Sequence, residues 1–131
     1  MTTFTDLGVR EDLLKAITEL GYEQPMPVQE KVIPHLLNAD TDVVALAQTG
    51  TGKTAAFGLP TLQRIDTSSS ATQALILDPT RELCLQTSND LTDYSKYIDD
   101  LRILPVYGGS SIEAQIKTLR HGVQVIVATP G

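Results

Sequence analysis

One cysteine stands among these 131 residues, so no disulfide closes within the chain, and a reducing, cytoplasmic setting is the expectation. Cys84 lies in a helical, partly apolar stretch, where a buried inert thiol is expected ahead of a catalytic one. No apolar run approaches the roughly 20 residues of a membrane span, and the polar start Met1-Thr2-Thr3-Phe4-Thr5-Asp6 is no signal peptide, so no membrane partner is expected. Positive charge is short as well. Ten Lys and Arg face sixteen Asp and Glu, a net charge of −6. That excludes a broad electrostatic grip on nucleic acid and leaves recognition through local N–H nests and helix ends. Length and apolar content suit one globular domain with a core.

What is present is concentrated at Ala47 to Thr54, which reads A-Q-T-G-T-G-K-T. This is the phosphate-loop pattern G-x-x-x-x-G-K-[ST] with Ala47 in place of the first glycine. The apolar run Val43 to Ala47 before it reads as a buried strand, and Ala55-Ala56-Phe57-Gly58-Leu59 after it as a helix start. Gly50 and Gly52 let the backbone turn so that successive N–H groups point inward, and the helix N-terminus adds its positive dipole end. Lys53 would reach the β- and γ-phosphates and the Thr54 hydroxyl would ligate magnesium. The bland alternative is a glycine-rich turn with a surface lysine.

Around the loop, Leu13, Leu14, Ile17 and Leu20 share one face of a helix stopped by Gly21. Val28, Val32, Ile33, Leu36 and Leu37 form a second stripe, opened by Pro25 or Pro27 and kinked at Pro34. A third helix runs from Lys53 to about Ile65, strained around Pro60, and residues 66–72 are a polar loop. Three further strands are expected at residues 74–77, 101–107 and 123–128, separated by helices from Arg81 to about Ile98 and from Ser111 to about Arg120. The last carries Ile112, Ile116 and Leu119 on one face. Strands alternating with helices imply βαβ units and a parallel sheet covered on both faces, with ligands at the carboxyl ends of the strands.

Phe4, then Gly21-Tyr22-Glu23-Gln24-Pro25-Met26-Pro27-Val28-Gln29, the phosphate loop, Pro79-Thr80-Arg81-Glu82-Leu83, Gly108-Gly109 and Thr129-Pro130-Gly131 occur in an order that resembles the amino-terminal RecA-like domain of the DEAD-box RNA helicases. The resemblance covers essentially the whole chain. It implies an α/β, RecA-like P-loop parallel sheet with helices on both faces, incomplete at the C-terminus, with residues 1–38 as an adenine-recognition helical segment and 39–131 as a partial ATP-binding domain. It also implies ATP and magnesium as cofactors. The nucleotide-binding residues would be Phe4, Gln24, Gln29, Thr49, Gly50, Thr51, Gly52, Lys53 and Thr54, with Thr54 at the metal. In the family the glutamine matching Gln29 selects adenine, and the aromatic matching Phe4 stacks on the base; Tyr22 is expected to pack locally. The Gln29 amide, able to donate and accept at once, suits a base edge. Pro79, Thr80, Arg81, Gly108, Gly109, Thr129, Pro130 and Gly131 would meet the sugar-phosphate backbone of single-stranded or duplex RNA.

Plainer roles are open for the same residues: Thr80 as an N-cap, Arg81 in a surface ion pair, the glycine pair as a turn. Two positions depart from the family. Cys84 stands where Ala is usual. Asp78 precedes Pro79 where small or apolar residues are common, and either lowers RNA affinity or points away. The D-E-A-D and S-A-T segments and the second RecA-like domain do not occur in the sequence, which reads as a fragment of a longer protein. The expected parent is an ATP-dependent RNA helicase, with this portion binding without turnover; a DNA helicase or other P-loop translocase, or a non-catalytic nucleotide-binding module, is the alternative.

Overall fold

A computed structural model describes residues 2–47, 52–109 and 111–130. The chain divides into two compact units, residues 1–64 with 93–97 and residues 65–92 with 98–131.

The first unit is helical. In α1 (Glu11–Glu19) Leu13, Ala16 and Ile17 are buried at the spacing of one helical face. Its end is a left-handed glycine: Gly21, at φ +92, lets the amides of Gly21 and Tyr22 turn back to the carbonyls of Thr18 and Ile17. Helix α2 (Pro27–Asn38) opens on a proline, whose missing N–H would have no intrahelical partner there. It continues through Pro34. It packs against α3 (Lys53–Gln63), where Ala55, Ala56 and Gly58 are buried; their small side chains allow close approach. Tyr22 joins Phe4 and Tyr94, at ring separations of 6.3 and 5.9 Å, and the two tyrosine hydroxyls lie 2.8 Å apart. Glu19 accepts hydrogen bonds from the Tyr97 hydroxyl and from Lys96 Nζ, and these, the Tyr97 bond first, hold its carboxyl below the ordinary carboxylate range.

The second unit is a parallel sheet of β1 (Ala74–Leu77), β2 (Ile103–Val106) and β3 (Val125–Ala128) in the order β1-β3-β2. Helices α4 (Arg81–Tyr94) and α5 (Ile112–His121) lie between these strands in sequence, as parallel pairing requires. Leu77 and Val106 both pair with Ala128, so the segments that leave the three strands emerge at one rim. At the opposite rim the buried Gln124 amide donates to the carbonyls of Ser69 and Asp100 and accepts from the Arg102 amide. Four-residue strands are thereby tied at the end where no ligand is expected.

Three sequence expectations need correction. Val43 to Ala47 is not a buried strand: it carries no strand pairing, and Val44 and Leu46 are 90% and 94% exposed. An apolar run becomes a strand only when it pairs with a hydrogen-bonding neighbour, and among the described residues this one pairs with none. Its side chains instead line one wall of an open groove of about 710 Å³ beside Val28 and Val32 of α2. Helix α4 ends at Tyr94 rather than near Ile98, with residues 95–97 in a turn. The stripe on α5 exists but is not buried; Ile112 is 71% exposed.

These differences in burial set different mutational costs. Leu13→Ala should lower unfolding stability in urea by about 2–5 kcal/mol, the range for a core cavity, because Leu13 is fully buried. Leu46→Ala should change it by less than about 0.5 kcal/mol, as for an exposed site. A cost at Leu46 comparable with that at Leu13 would show that the 43–47 run is packed after all.

Candidate nucleotide and nucleic-acid sites

The first candidate site is built where α2 meets the start of α3. Gln29 is the third residue of α2, and its Oε1 accepts the amide of Met26, the residue before the helix, at 2.8 Å. This is one arm of a capping box, with Met26 where Ser or Thr is usual. The other end of the same amide, Nε2, donates to the Gly52 carbonyl at 3.2 Å. Gln29 is 2% exposed. A buried amide bonded at both ends is held in one orientation, with one further N–H and one further lone pair as its remaining capacity. Gly52 itself caps α3 at φ +83, and a Cβ there would lie 2.3 Å from Gln29 Nε2. Only glycine satisfies both the left-handed backbone and the close approach.

Lys53 and Thr54 follow as the first residues of α3, exposed and half-buried respectively. Gln48, Thr49, Gly50 and Thr51, the body of the phosphate loop, lie outside the described residues. Gln24 is exposed on the segment leading to α2. Phe4 is 3% exposed, with its ring against Tyr22. Tyr22 is half-buried.

The second candidate site is the rim at the carboxyl ends of β1, β3 and β2. Thr80 caps α4, its Oγ1 accepting the Leu83 amide and its carbonyl the Cys84 amide. The amides of Arg81 and Glu82, in the first turn, have no intrahelical acceptor. Pro79 and Pro130 have no N–H, and the Thr129 amide is spent on the Val106 carbonyl. The segment after β3 is therefore a poorer amide nest than its sequence suggested, with the Thr129 hydroxyl as its remaining donor; Gly131 lies outside the described residues. Gly108 and Gly109 are exposed, and Gly109 takes φ +87. Arg81 makes no ion pair among the described residues; its guanidinium lies 5.2 Å from the centre of the Tyr107 ring.

The two departures meet beneath this rim. Cys84 Sγ is fully buried and donates to the Val127 carbonyl at 3.1 Å; burial pushes its thiol up, and the Asp78 carboxylate adds to the shift. A thiol so held is no nucleophile. Asp78 Oδ2 is buried and finds no hydrogen-bond partner among the described residues, so this carboxylate oxygen is turned away from solvent.

Sequence reasoning missed the Met26 amide and the Tyr107 ring. Met26 lies inside the run that ends at Gln29 but its backbone amide carries no sequence signal, and Tyr107 belongs to no motif.

A parallel α/β sheet with its functional segments at the carboxyl rim, together with a glycine-capped helix opening on Lys-Thr, defines a P-loop domain of the RecA-like kind. The pattern of the DEAD/DEAH box helicases matches residues 26–131, and the chain belongs to that family. It is 49% identical over 99% of its length to the ATP-dependent RNA helicase DeaD of Escherichia coli K12, and 52% identical over 98% to DeaD of Mycobacterium tuberculosis H37Rv. It covers 20% and 23% of those two proteins, so it spans about a fifth to a quarter of their length. Among solved structures, the whole chain superimposes on a DEAD box protein from the hyperthermophile Methanococcus jannaschii with a TM-score of 0.92 at 38% identity, covering 35% of that chain. It superimposes on S. cerevisiae Dbp5 bound to RNA and ADP BeF3 with a TM-score of 0.87 at 36% identity, covering 32%. These neighbours are RecA-like DEAD-box domains, as the sequence led us to expect.

Gly52→Ala should destabilise the chain by about 1–3 kcal/mol, from overpacking against Gln29 added to a left-handed backbone. In the Gln29→Ala background the steric part should disappear, so the two substitutions should not add. Strict additivity in urea unfolding would deny the contact.

Proposed function

We propose that this chain is the nucleotide- and RNA-binding front portion of an ATP-dependent RNA helicase, and that these 131 residues bind without turning ATP over. The observation that carries the nucleotide half is the Gln29 amide, bonded at one end to Met26 and at the other to Gly52. One buried side chain so links a helix start that can read a base edge to the turn that closes the phosphate loop. Adenine, with a donor and an acceptor side by side, matches the remaining N–H and lone pair of Gln29. Phe4, buried to the same degree as Gln29, would be the aromatic that stacks on the base, with its ring backed by Tyr22.

The residues fit the groups the family implies. Gly52 leaves the phosphate turn free of a Cβ, Lys53 carries an exposed cation at a helix start, and Thr54 offers a hard oxygen. Bound magnesium would neutralise charge on the phosphates. Thr54 would hold it together with phosphate oxygens and water, since the described residues include no cluster of three or more His, Cys, Asp or Glu that could hold a metal. Within these 131 residues nothing matches the glutamate that activates the attacking water in the family.

RNA would cross the rim of the second unit, meeting the first-turn amides and side chain of Arg81, the glycine turn and the Thr129 hydroxyl. One principal cation on an acidic chain gives weak binding with a shallow salt dependence. The related proteins support this reading: DeaD is an ATP-dependent RNA helicase, and the similar Dbp5 structure is bound to RNA.

ADP should bind more tightly than GDP by about 1–3 kcal/mol, the cost of leaving a buried polar group unpaired, and Gln29→Ala should erase the difference. Calorimetric titration reads both; equal affinities for the unmutated chain would sink base selection. Phosphate release with ATP and RNA present should stay at background. Turnover that Lys53→Ala abolishes would show that the chain is catalytically complete.

A further inference from the structure

We propose that Tyr107, a residue outside every motif of the chain, is a positioning residue for RNA: its ring holds the Arg81 guanidinium over the turn at Gly109, where a phosphate is received. The inference rests on the RNA-binding reading above and adds to it the device that orders its principal cation. Arg81 opens α4 beyond β1, and Tyr107 directly follows β2; the register places both at the same rim, with β3 between their strands. The guanidinium carbon lies 5.2 Å from the ring centre, within the roughly 6 Å over which a ring quadrupole attracts a cation. The backbone that carries the ring is tied to α5, since the Gln115 side-chain amide donates to the Tyr107 carbonyl at 3.5 Å.

The third member is Gly109. A Cβ there would lie 3.9 Å from Arg81 Nη1, so the guanidinium reaches the glycine turn itself. At Gly108 a Cβ would meet nothing within 4 Å, which leaves space on the approach. An ion pair would order Arg81 as well but would neutralise it. A ring orders a guanidinium while leaving its charge and its fork of N–H donors available to phosphate. For an acidic chain with few cations at this rim, that distinction decides whether the single arginine is usable.

The test is fluorescence anisotropy with labelled single-stranded RNA, comparing the unmutated chain with Tyr107→Leu, Tyr107→Phe, Arg81→Ala and the Arg81→Ala/Tyr107→Leu pair. Tyr107→Leu should weaken binding about threefold to fivefold, the worth of an exposed cation–π contact, and Tyr107→Phe should restore it. In the Arg81→Ala background Tyr107→Leu should cost nothing further. A second readout needs no RNA: the Arg81 Nε–H resonance of the free chain should carry a ring-current shift that Tyr107→Leu removes and Tyr107→Phe keeps. Undiminished binding by Tyr107→Leu, or an equal loss with and without Arg81, overturns the proposal. If the unmutated chain binds no RNA the RNA reading itself falls, and the Arg81 resonance then shows whether the ring–guanidinium contact exists apart from it. A resonance indifferent to Tyr107 overturns the contact.

Discussion

The side-chain amide of Gln29 is the constraint on which the nucleotide site depends, because among the described residues it is the one side chain bonded both to the start of α2 and to the turn before α3. Its burial forces the bonds to be good ones, since an unpaired buried amide costs about 1–3 kcal/mol. Its place also dictates Gly52, where any Cβ would strike it. The orientation of the glutamine and the end of the phosphate loop at Gly52 are therefore one structural fact. A base that engages the amide acts on a group already in contact with the residue preceding Lys53.

The rim of the second unit is organised by a different constraint, the parallel register. With Leu77 and Val106 both opposite Ala128, the chain leaves three strands at one level, and Thr80, Tyr107 and Thr129 follow without any side-chain interaction to bring them there. What side chains add is order. Thr80 fixes the start of α4, Tyr107 holds Arg81, and Gln124 ties the far ends of the strands. Cys84 lies buried beneath this surface, and Asp78 turns one carboxylate oxygen away from it.

Most of the helices and the three paired strands were legible from apolar periodicity and from glycine and proline punctuation. The α1 stop at Gly21 and the α2 start at Pro27 follow from backbone chemistry that no distant residue can override. The run at Val43 to Ala47 was misread because its composition states what it could pair with, whereas a strand needs the partner itself. Tyr107 was invisible for a related reason. A contact between residues 26 positions apart is created by strand register, and register is not written locally in either segment. Phe4 was assigned to the base by resemblance alone, and its packing against Tyr22 is a contact that its spacing does not announce.

The measurement that bears most directly on this account is a backbone and side-chain amide spectrum of the isotope-labelled chain, titrated separately with ADP, GDP and a short single-stranded RNA. The account expects ADP to move the Gln29 side-chain amide together with Gly52 and Lys53, GDP to leave the Gln29 amide in place, and RNA to move Arg81 and Gly109. If ADP and GDP shift the same resonances by the same amounts, or if ADP leaves Gln29 untouched while moving Lys53, the claim that one amide joins base recognition to the phosphate loop is contradicted.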